Sequence, residues 1–102
     1  MYEEDFRRRL IELRGTKGVS ARDMSLSIGQ NAGYINNIEN GKSLPSMNGF
    51  FYICEYLNIT PKEFFDAENS DPTAFSTFIE NCKKLNSSSF HIMNDLVKML
   101  IE

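Results

Sequence analysis

A chain of 102 residues with 11 Lys and Arg against 14 Asp and Glu, a net charge of -3, 41% hydrophobic and 25% charged residues is sized for one small domain, or one with an appendage, around a modest core. Its composition excludes a disordered chain and a multidomain enzyme. No apolar run reaches bilayer-spanning length and MYEEDFRRRL lacks the apolar centre of a signal peptide, so no membrane partner and a cytoplasmic location are expected.

Cys54, Cys82 and the single histidine, His91, share no metal-ligand or nucleophile spacing. No metal, no cofactor and no enzymatic set is therefore expected, and both thiols read as buried. No Gly-rich phosphate loop is present either. The acidic balance hides an uneven distribution. Arg7, Arg8, Arg9, Arg14, Lys17 and Arg22 lie within one short stretch that holds a single acid, Glu12.

In chain order, EEDFRRRLIELRG has acids leading and arginines following, with Phe6, Leu10 and Leu13 at helical spacing and Gly15 and Gly18 at the exit. The Arg7 to Arg9 run reads as a solvated face paired with Glu3, Glu4 and Asp5. A second, two-turn helix begins at Ser20 as its cap, points Met24 and Ile28 inward and ends at Gly29. Asn31 is the expected cap of a third helix over 31–40. Its Ile35 and Ile38 face the core, and Ala32, Gly33, Asn36 and Asn37 face away. Gly41 closes it.

Ser46 caps a fourth helix with the apolar stripe Met47, Phe50, Phe51, Cys54 and Leu57. TPKEFF then carries a full capping box, Thr60 with Glu63, and Pro61 at the first helical position. The polar stretch AENSDP, residues 67–72, is the one plausible boundary. Beyond it Pro72 opens a helix with Phe75, Phe78, Ile79, Cys82 and Leu85 on one face. NSSS caps a last helix with Met93, Leu96, Val97, Leu100 and Ile101 inward. The aromatic stripe Phe50, Phe51, Phe64, Phe65, Phe75 and Phe78 reads as core. No alternating strand pattern occurs, so the expected fold is all-α.

Two short helices across a tight turn, bracketed by longer ones, form the arrangement of a helix-turn-helix DNA reader. The run LIELRGTKGVSARDMSLSIGQNAGYINNIENGKSLPS resembles, without a gap, the helix-turn-helix of phage-repressor and Cro-like (XRE-type) transcription regulators. The likeness continues through LNITPKEFF. It implies a five-helix lambda-repressor-like domain over residues 1–66, followed at 67–102 by an αα-hairpin. The leftover apolar faces of Phe75, Phe78, Ile79, Met93, Leu96, Val97, Leu100 and Ile101 make that hairpin the expected dimerisation element.

In such a unit the third helix lies in the major groove. The positions facing base edges are then Gln30, Ala32, Gly33, Asn36 and Asn37, and Asn or Gln can bond adenine N6 and N7 together. Amides can thus read bases without charge. Phosphate contacts fall to Ser20, Ala21, Arg22, Asn40 and Lys42, with Lys17 as a further cation. Tyr34 either offers its hydroxyl to a phosphate or covers Ile38. Ala21 stands where glutamine is common in relatives, which removes one backbone contact. The resemblance also implies that Arg14 and Glu39 pair inside the domain.

The expected function is that of a transcription regulator binding double-stranded DNA, a homodimeric repressor reading an inverted repeat through the helix at 31–40. A different class competes with it, a protein-interaction module or an antitoxin-like partner protein with weak or no DNA binding, using the hairpin for its protein partner.

Overall fold

The computed structural model describes residues 2–101 and is helical, with no strand among them. Seven helices follow in order: α1 Tyr2–Lys17, α2 Ala21–Ser27, α3 Tyr34–Glu39, α4 Met47–Leu57, α5 Pro61–Phe64, α6 Pro72–Lys83 and α7 Ser87–Ile101. The chain divides into two compact units, Met1–Pro72 and Thr73–Glu102. No described helix is long and apolar enough to cross a membrane.

In the first unit, Leu10 and Leu13 of α1, Met24 of α2, Ile35 and Ile38 of α3, and Phe50 and Ile53 of α4 meet in one core. Ile59 and Phe64 close it from the α5 side. Phe64 is fully buried, and its ring lies 5.0 Å from Phe6 and 5.2 Å from Phe50. These rings sit in the tilted and edge-on arrangements that aromatic quadrupoles favour.

Local chemistry sets the helix ends. Ser20 accepts the Asp23 N–H at 3.0 Å and Ser46 accepts the Gly49 N–H at 3.0 Å. Thr60 and Glu63 form a reciprocal capping box. Gly18, Gly29 and Gly41 have φ of +76°, +76° and +78°, the left-handed conformation that reverses the chain after α1, α2 and α3. Gly15, an expected exit, lies within α1.

Several side chains depart from the expected pattern. Arg9 is not part of a solvated face. It is buried, donating from Nε to the Phe64 carbonyl, from Nη2 to the Glu63 carbonyl at 2.8 Å, and from Nη1 to Glu12. The C-terminal carbonyls of the one-turn helix α5 need donors, and Arg9 brings them from α1. On α4, Met47 and Phe51 are exposed, while Gly49 and Ile53 take the inner face. Phe65 is exposed as well, so the aromatic stripe is core only at Phe50 and Phe64.

In the second unit, Asn86 caps α7 by accepting the Ser89 N–H at 2.8 Å. No described residue of α7 is buried. Phe75, Phe78, Ile79, Leu96, Val97, Leu100 and Ile101 are exposed rather than inward, and Met93 and Cys82 are half-buried. Two helices alone provide no further layer to cover an apolar face. Cys54 is buried as expected, whereas Cys82 is not.

Candidate nucleic-acid interface

α2 and α3 pack against each other across the turn that Gly29 opens. The third helix is shorter than expected. Asn31 does not cap it: its Oδ1 accepts the Gly33 N–H at 3.1 Å and its carbonyl accepts the Tyr34 N–H at 3.1 Å, closing a turn that leads into the helix. Asparagine favours such a self-closing turn over continuing into a helix. Ala32 and Gly33 therefore belong to the turn, and α3 covers only Tyr34–Glu39.

That leaves the first N–H groups of α3 without a capping side chain of their own, because the cap position is Gly33. Ser25 of α2 supplies one from the side. Its hydroxyl donates to the Ala21 carbonyl at 2.7 Å and accepts the Ile35 N–H at 2.9 Å, fully buried. One hydroxyl thus ties the two helices together, a role the helical spacing of Met24 and Ile28 does not reveal.

A second tie comes from α1. Arg14 donates from Nε and Nη2 to both carboxylate oxygens of Glu39 at 2.8 Å each, and from Nη1 to the Val19 carbonyl at 3.0 Å. The hydrogen bonds to Glu39 outweigh burial and raise the Arg14 guanidinium above its ordinary value. The pair anchors the C-terminal end of α3 to α1 and neutralises both charges.

With its inner face fixed, α3 turns Asn36 and Asn37 to solvent, with Asn40 and Lys42 exposed just beyond its end. A carboxamide carries a donor and an acceptor side by side, which matches the major-groove edge of adenine. At Gly33 an added Cβ would stand 3.8 Å from Asn31 Oδ1 and from Asn37 Nδ2, so these two amides flank the glycine. Gln30 and Ala32 are half-buried beside them.

Around this face, Ser20 and Arg22 are exposed at the start of α2, and Ala21 packs its methyl on the core. The Lys17 ammonium sits 4.7 Å from the centre of the Tyr56 ring, a cation–π contact that holds it. Tyr34 packs against the core, and its hydroxyl occupies the space a side chain at Gly49 would need. Burial pushes its phenol up from the ordinary value. The need for Gly49 has no trace in the helical periodicity of α4.

A family model described as a helix-turn-helix domain matches residues 8–70, from the middle of α1 to beyond α5. No curated protein and no solved structure matches the chain. The chain belongs to the helix-turn-helix domain family, and this membership supports a DNA-binding regulator in general terms.

Proposed function

We propose that the protein is a sequence-selective regulator of transcription, a homodimeric repressor that reads an inverted repeat in duplex DNA with the turn and helix over residues 30–37. The observation that carries this reading is the pair of exposed amides Asn36 and Asn37 on a helix whose inner face is tied to α2 by Ser25 and to α1 by Arg14. Groups held in this way meet a base edge with little ordering cost. Gln30, Ala32 and Gly33 complete the base-facing set. Ser20, Arg22, Asn40 and Lys42 supply backbone contacts, with Tyr34 and the backbone at Ala21 beside them. The exposed apolar faces of α6 and α7 support a homodimer, which would place two reading helices on half-sites about one helical turn apart.

A second reading rests on one specific feature. Between Arg22 and Lys42 the chain carries no Lys or Arg, so the face presented by α3 is without cations. A protein-interaction module or an antitoxin-like partner would use such a face without DNA.

Titration onto genomic duplex fragments at two salt concentrations separates the two. A base-reading Asn37 makes Asn37→Ala lose about 1 to 3 kcal/mol of discrimination. A phosphate-binding Arg22 makes Arg22→Ala weaken all duplexes alike and lowers the salt slope by about 0.9. Wild-type protein that binds no fragment at low salt removes the DNA reading and leaves the interaction module.

A further inference from the structure

Arg7, Arg8 and Arg9 are consecutive, yet each has different surroundings. Arg8 pairs with Asp5 at 3.2 Å on the surface. Arg9 is buried and bonds to α5 and Glu12. Arg7 makes no hydrogen bond or ion pair among the described residues, and the charge acting on it along its own helix is Glu3, one turn earlier.

Its guanidinium is nevertheless placed. Cζ, Nε and Nη1 lie 3.5, 3.5 and 3.7 Å from the point a Cβ on Gly41 would occupy. A point nearly equidistant from three coplanar atoms at that range lies above their plane, so the Arg7 guanidinium turns its face toward the open side of Gly41 in the turn that follows α3. With its face turned to Gly41, the guanidinium directs its N–H groups sideways, in the plane in which they bond an anion. The Lys42 side chain, exposed in the same turn, likewise makes no hydrogen bond or ion pair among the described residues.

A role as a cap for α3 does not explain this position. Three of the last four carbonyls of α3 are taken by backbone, Asn40 N–H bonding to Asn36, Lys42 N–H to Asn37 and Gly41 N–H to Ile38, and Arg7 donates to none of the four. Nor is Glu39 the reason, since both of its oxygens face Arg14. The C-terminal flank of the reading helix thus carries two cations that form no hydrogen bond or ion pair among the described residues, with Glu3 acting on Arg7 only from a helical turn away.

We propose that Arg7 is a DNA-backbone residue, forming with Lys42 a clamp for a phosphodiester group at the C-terminal flank of α3. The inference rests on the DNA-reading function above and deepens it. It answers how a helix without cations gains affinity: charge comes from α1, placed beside Gly41, and Arg can present two parallel N–H groups to one phosphate.

The test uses the full chain on a selected duplex and on a random one, across a salt series, with thermal melting of each variant in parallel. Arg7→Gln is expected to weaken both duplexes by the same factor and to lower the slope of log affinity against log salt by about 0.9. Arg7→Lys should keep most of that slope, and Arg8→Gln should match wild type. An unchanged slope in Arg7→Gln overturns the clamp, and so does a lowered melting temperature with the slope intact, which would make Arg7 a support for the turn. Failure of wild type to bind either duplex overturns the DNA-reading function itself and the clamp with it.

Discussion

Arg14 and Glu39 face each other across α1 and α3 with two parallel hydrogen bonds of 2.8 Å, and the Glu39 side chain is only 8% exposed. The carboxylate is therefore held almost out of water by a partner on another helix. Arg14→Ala strands that charge and is expected to cost about 3 kcal/mol, the low end of the range for breaking a buried pair. Replacing both residues by leucine should cost less than the sum of the single changes, because no unpaired charge remains. Urea denaturation of the four proteins measures this. A loss under about 0.5 kcal/mol in Arg14→Ala, the level of an ordinary surface change, would mean the pair contributes nothing.

Ser25 makes a narrower and sharper prediction. Ser25→Ala removes the acceptor of the Ile35 N–H in a fully buried place, where water has no easy access. The expected loss is about 1 to 3 kcal/mol, the desolvation cost of one buried donor. Hydrogen exchange at the Ile35 amide should accelerate more than exchange in α4, since α3 loses its lateral cap. Equal acceleration throughout the first unit would argue for a general core effect instead.

These two contacts illustrate what can be read from residues alone. Ser20, Ser46 and the Thr60–Glu63 box are legible because a cap acts within three residues of itself. The glycines after α1, α2 and α3 are legible for the same local reason. Ser25 shows only its size in sequence, because its role depends on Ile35 being brought over it. Arg9 reads as one of three surface arginines, and only the approach of α5 gives it the carbonyls of Glu63 and Phe64. Asn31 is ambiguous in principle: the same carboxamide that caps a helix also closes a turn, and Gly33 decides in favour of the turn. Met47 and Phe51 fit an apolar stripe, but the inner face of α4 is shifted toward Gly49 and Ile53, where Tyr34 needs room.

Burial pushes the Cys54 thiol up to about 11. An unfolded chain gives up that proton from about pH 8.5, so the neutral buried thiol contributes stability that is complete below that pH and is lost as pH rises toward 11. Tyr34 acts in the same direction, which makes a comparison with Cys54→Val necessary to isolate the thiol. Wild type should lose stability more steeply than Cys54→Val between about pH 8.5 and 11 when urea midpoints are compared. Parallel curves would show that Cys54 is solvated in the folded state. Thiol titration of native protein should meanwhile modify the half-buried Cys82 first.

The proposed dimer turns on whether a second copy covers the exposed faces of α6 and α7. Phe78 is 46% exposed and Val97 39% exposed in the single chain, so glutamate at either place can keep its charge in water and leave the helices intact. Within a dimer the same glutamate would enter an apolar seam and lose that water. Phe78→Glu and Val97→Glu should therefore convert a dimer into a monomer in sedimentation at tens of micromolar, with unchanged helical circular dichroism. The consequence for DNA follows from linkage between two modules. Affinity for an inverted repeat should fall steeply, whereas affinity for an isolated half-site should hardly move, because the second contact is no longer intramolecular. A wild-type chain that sediments as a monomer removes the dimer, and binding to the inverted repeat should then be no tighter than binding to one half-site.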